Sequence, residues 1–175
     1  DLNKGESMIR GALKAAPHEA QAHYVLGLIL EVKQSRMADS TAAFMAANRL
    51  APDNYPFPLH IEKEEWKTCI EAALHQTEPK IRDFWDGLPV HLFESPDLKE
   101  LKATEPPLSP RVTGLYMGTP HEDTTSTISR PDGIRLFTRN LARSLSKQEV
   151  IDKIANTLEQ EALDWLADHP LNAPR

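Results

Sequence analysis

The stretch NTLEQEALDWLADHP, residues 156–170, concentrates the groups best placed to do chemistry. Glu161, Asp164 and Asp168 stand at i, i+3 and i+7, so on a helix of 3.6 residues per turn three carboxylates share one edge. Oxygen ligands of this kind suit Mg²⁺ or Ca²⁺, and a glutamate beside a bound water serves as a general base. The same spacing is also the ordinary solvated face of a surface helix. His169, and His121 with Glu122 and Asp123 in a polar stretch, are the other ligand types nearby. Near the start of the chain His18, Glu19 and His23 spell HExxxH. Histidines five apart diverge by roughly 140° around a helix, whereas the two of a zinc-binding HExxH lie four apart on one face. Cys69 is the single cysteine, which leaves no internal disulfide and no CxxC metal site. There is no GxSxG elbow and no glycine-rich phosphate loop.

The elements that must position these groups divide the chain into two textures. Residues 1–55 are rich in alanine and lack strand-like alternation, while 56–175 mixes strand and helix patterns broken by prolines. In the first part MIRGALKAAP and FMAANRLAP repeat a large apolar residue, a small residue three on and a proline eight on: Ile9, Ala12, Pro17 and Phe44, Ala47, Pro52. The prolines lie roughly 35 residues apart, close to the ~34-residue period of the tetratricopeptide repeat, which this pattern, with Leu26-Gly27 between the prolines, resembles. A helix over 3–16 and a complete helical pair over 19–51 are expected. Repeats of this type bind peptides in a concave groove, although one and a half repeats form almost none.

In the second part IEKEEWKTCIEAALHQ has the apolar spacing of a helix packed on one side. GLPVHLF, VTGLYMGT and GIRLFTRN read as three strands, and SPDLKEL as a short helix capped by Ser95 with Pro96 at its first position. A polar loop follows over 119–133. SKQE is a capping box, Ser146 with Glu149, opening a helix of about 20 residues. The fold class is therefore α+β: a tetratricopeptide-like helical hairpin over 1–55, then a small domain over 56–175 with about three strands and two main helices.

GLYMGTP, IRLFTRNL and TLEQEALDWLA, in that order behind an acidic helix, make residues 61–170 resemble the small zincin-like metallopeptidases of bacteria. The resemblance implies a GLY-x-G strand, a strand ending LF-x-R-N, and a helix bearing HExxHxxG around zinc. Its ungapped alignment puts Gln160, Glu161, Ala162, Leu163 and Asp164 on HExxH, Ala167 on the glycine, and Pro170 near the acidic third ligand. Only Glu161, at the position of the catalytic base, is retained. A catalytic zinc takes three protein ligands and an open position for water, and this set does not supply them. Zinc is expected of the family, but no cofactor is expected here. Ile151, Ile154, Ala155, Leu158, Ala162, Trp165 and Leu166 form an apolar stripe roughly 120° wide with Gln160 and Asp164 opposite, so their replacement leaves the core alone.

Hydrophobic residues make up 40% and charged residues 26% of the sequence, and the longest apolar run, YVLGLIL, is far short of the roughly 20 residues of a membrane span. A net charge of −6 gives no field for nucleic-acid phosphates or anionic lipid, so neither partner is expected. The single cysteine points to a reducing, cytoplasmic setting. No signal-peptide pattern follows Asp1, and the sequence is expected to begin inside a longer protein. The functional expectation is a metallopeptidase-like protein without catalysis that binds a protein or peptide or acts as a scaffold. The alternative is a metal-dependent hydrolase, a peptidase with non-standard ligands around Glu161. Main-chain pairing on a sheet edge survives the loss of zinc, so the partner is expected along GLYMGT and IRLFTRN. Arg135, Phe137 and Arg139 would project from one side of that strand. The sequence assigns no oligomeric state.

Overall fold

Alanine-rich residues 1–50 fold as three helices, α1 (Leu2–Ala15), α2 (Ala20–Val32) and α3 (Met37–Leu50), where helices are expected. This is a computed structural model, and it describes residues 1–33, 36–118 and 130–168. Asp1 caps α1 by accepting the N–H of Asn3 at 2.9 Å. The turns around Pro17 and Pro52 end α1 and α3, because proline has no N–H to continue a helix. α2 and α3 approach closely at Gly27, where a Cβ would fall 2.7 Å from the ring of Phe44. Beside it Ser40 Oγ donates to the Gly27 carbonyl at 2.9 Å. Leu26, Leu30 and Ala43 form the core of this packing, with Ile9 and Leu13 of α1 against it.

The chain divides into two compact units, and the division is discontinuous. The first unit comprises 1–59, 95–112 and 142–145; the second comprises 60–94, 113–141 and 146–175. A single cut at residue 55 therefore differs from the way the chain gathers. In the first unit Arg143 donates to both carboxylate oxygens of Glu31 at 2.7 Å, a buried bidentate pair, and lies 4.0 Å above the Phe44 ring. Glu6 on α1 draws Arg10, Lys33 and Arg36 together at 2.5–2.8 Å, and hydrogen bonds from Lys33 and Arg10 lower its carboxyl to about 2.

The second unit is built from α4 (Lys63–Gln76), α5 (Pro79–Trp85), β1 (Val90–Phe93), β2 (Gly114–Met117), β3 (Gly133–Phe137) and the long α8 (Lys147–Asp168). Between β1 and β2 in the sequence comes the one-turn α6 (Leu98–Leu101), which belongs to the first unit, and after β3 the short α7 (Thr138–Ala142). The sheet has the order β1-β3-β2, with β1 parallel and β2 antiparallel to β3. Ile154, Leu158, Ala162 and Trp165 of α8 are fully buried, and the Trp85 indole donates to the Leu158 carbonyl at 2.8 Å. β2 meets α8 through Gly114, where a Cβ would lie 2.7 Å from the Thr157 methyl group, which accounts for glycine at the head of GLY.

Four local expectations are corrected. IRLFTRN is not a strand throughout: β3 stops at Phe137, residues 138–142 turn helical, and the Arg139 N–H donates to the Glu94 carbonyl at 3.0 Å. Nor is it an edge, because β3 has a neighbour on both sides. α6 is capped by Asp97, not Ser95, through a reciprocal box with Glu100 at 2.7 and 2.8 Å. Leu166 lies outside the buried stripe, whereas Glu161 lies inside it. α5 was absent from the expected elements; its last carbonyls are held by the Arg130 guanidinium, which no local pattern announces.

Candidate functional site

Ser146 Oγ accepts the N–H of Glu149 at 3.2 Å and starts α8, whose phase then carries Glu161 to the flank of β2. Antiparallel pairing directs the main-chain groups of Leu115 toward its β3 partner Arg135, so those of Tyr116 turn away from the sheet. That outward N–H meets the Glu161 carboxylate at 2.8 Å. Glu161 is only 8% exposed. Burial pushes its carboxyl up to about 7, against the Tyr116 hydrogen bond that favours the charged form, and the nearby Asp164 charge adds to the rise.

Tyr116 is tied to α8 at two further points. Its ring packs edge-on against Trp165, with centroids 5.1 Å apart, and its hydroxyl donates to Asp168 at 2.7 Å. Burial, followed by the hydrogen bond to Asp168, raises the phenol to about 12. On the exposed side of the same turns the Gln160 amide donates to Asp164 at 2.8 Å.

Residues 85–165 match the family model described as zincin-like metallopeptidase. This part of the chain is similar to that family. No curated protein matches the chain at a significant level. The zincin-like stretch contains β1, β2, β3 and most of α8, so the helix that holds zinc in the resemblance is the one that carries Glu161 here.

Gln160 offers a neutral amide whose N–H₂ is spent on Asp164, and Glu161 faces a main-chain N–H. Among the described residues no three His, Cys, Asp or Glu side chains are grouped to hold a metal ion. These residues do not fit a three-ligand zinc site. The acidic edge expected from Glu161, Asp164 and Asp168 is divided by the fold: Asp164 and Asp168 are exposed and Glu161 is buried. His121, Glu122, Asp123, His169 and Pro170 lie outside the described residues.

In the other near motif, Glu19 caps α2 and the His23 ring is bonded to the Pro17 carbonyl at 2.8 Å. Cys69 is buried, which pushes its thiol up, away from the reactive thiolate. Phe137 is 1% exposed and belongs to the core. Arg135 lies on β3 opposite His91 and Leu115, and Arg139 lies on α7 in an ion pair with Glu94 at 3.2 Å. The three do not share one side of a strand. The residue missed by sequence reasoning is Tyr116, whose only sign is its place one residue beyond Leu115 in GLYMGT.

Proposed function

We propose that this zincin-like protein is a binding module without metallopeptidase catalysis. The Glu161–Tyr116 hydrogen bond carries the reading. In metal-dependent hydrolysis the glutamate takes a proton from a metal-bound water, which requires a carboxylate open to that water. Here the carboxylate is buried against the edge strand, and one of its oxygens already accepts the Tyr116 N–H. Gln160 and Asp164 are bonded to each other, which supports the same reading. The partner is a protein or peptide whose acidic groups would compete with Glu94 for Arg139 and approach Arg135 on β3. The helices of the first part are read as tetratricopeptide-like from the repeat of Ile9, Ala12, Pro17 and Phe44, Ala47, Pro52.

Elemental analysis of protein purified and then dialysed against zinc tests the first half. Substoichiometric zinc is expected, and one zinc per chain would overturn it. Reversing both charges, Arg135→Glu with Arg139→Glu, is expected to weaken a captured acidic partner more than tenfold in a folded protein. A second reading, a hydrolase with Glu161 as general base, draws on the raised pKa of that carboxyl, which suits proton transfer near neutral pH. It requires a metal-stimulated peptidase activity that Glu161→Gln abolishes.

A further inference from the structure

The two edges of the three-stranded sheet are treated differently. At β2 the outward N–H of Tyr116 is capped by Glu161. At β1 no side chain among the described residues performs that service. Ile134 N–H donates to the Pro89 carbonyl, and the parallel register pairs Val90 with Ile134 and Leu92 with Leu136. In a parallel ladder each residue bonds to the two that flank its partner, so Pro89, His91 and Phe93 turn their main-chain groups to β3. Val90 and Leu92 turn theirs outward, where they meet no strand among the described residues.

Exposed edges are commonly blunted by a charged residue, a proline or a bulge within the strand. β1 reads VHLF and carries none of these. Leu92 is 39% and Phe93 47% exposed. At the end of the strand the Glu94 charge is neutralised by Arg139, so a second β1 would meet no uncompensated repulsion there.

We propose that β1 is a self-association edge: two copies of this chain pair antiparallel through β1, about a two-fold axis at His91. In this register Val90 of one copy lies opposite Leu92 of the other, so all four outward N–H and C=O groups of each strand find partners. The apolar side chains of Val90 and Leu92 then cover each other, and the two sheets join into one of six strands. A two-fold centred on Leu92 is disfavoured, because it sets Val90 against Glu94, whose carbonyl already accepts from Arg139. The contact is isologous, closes on itself and stops at two copies.

Cysteine trapping tests both the edge and the register. In a Cys69→Ser background, His91 is the self-opposed residue of a non-hydrogen-bonded pair, whose Cα atoms lie about 4.5 Å apart, within disulfide range. Under mild oxidation the full chain with His91→Cys is expected to form a covalent dimer at least tenfold faster than the one with Lys99→Cys. Adding Leu92→Lys is expected to reduce that trapping at least tenfold, while far-ultraviolet circular dichroism stays unchanged. Sedimentation of the unaltered chain should show a monomer–dimer equilibrium that Leu92→Lys shifts to monomer. A wild-type monomer at all concentrations up to about 1 mM, or equal trapping at positions 91 and 99, would overturn the proposal. So would a β1 edge that pairs only with an added peptide.

Discussion

Replacing Glu161 by glutamine keeps an oxygen to accept the Tyr116 N–H and removes a charge that burial disfavours. The folded carboxyl titrates at about 7, against an ordinary value of 4.5. The folded state therefore holds its proton more tightly than the unfolded chain does. The associated stability is fully present below pH 4.5 and is lost as pH rises through 7. Over that window the loss is on the order of 3 kcal/mol, at about 1.4 kcal/mol per pKa unit. Glu161→Gln should therefore exceed the wild type in urea-unfolding stability at about pH 8 by an amount of that order, and the gap should close toward pH 4.5. An equal gap at both ends of the range would mean that the carboxyl is not the cause.

At the level of elements, the test of close packing is Gly27→Ala. Its Cβ would meet the Phe44 ring at 2.7 Å, so α2 and α3 must separate or the ring must move. A loss of about 1–3 kcal/mol is expected. Adding Phe44→Leu should recover part of it, and a double-mutant cycle of thermal unfolding measures that coupling. Elements whose positions rest on local pattern were legible in the sequence. Alanine-rich helices bounded by prolines, the Ser146 cap of α8 and the first two short strands sit where residue type and periodicity placed them, and the third begins there. What was not legible depends on contacts distant in sequence. β3 ends at Phe137 because Arg139 bonds back to Glu94, and α5 is fastened by Arg130, 46 residues on from Phe84. At the site, the replacement of HExxH was readable from residue types alone. The engagement of Glu161 by Tyr116 was not, because it is a tertiary contact between a helix and an outward main-chain group.

For the molecule as a whole, the gathering of residues 142–145 into the first unit gives the Glu31–Arg143 pair its weight. A buried pair of this kind is weak evidence of net stabilisation, but breaking it leaves one charge without compensation. Arg143→Ala should destabilise the chain by about 3–5 kcal/mol through the stranded Glu31 carboxylate. Glu31→Leu combined with Arg143→Met should restore most of that loss, as read by thermal unfolding. If the single and double variants unfold alike, the pair contributes through the Phe44 contact alone.

The same pair has a consequence for how the protein is made. Glu31 and Arg143 are 112 residues apart, so Glu31 leaves the ribosome long before its counter-charge exists. At 5–20 residues per second the interval is on the order of ten seconds. The helix contacts among Leu26, Leu30, Ala43 and Phe44 are complete within the first 50 residues, whereas the Arg143 guanidinium that covers the Phe44 ring is added only after the strands have been synthesised.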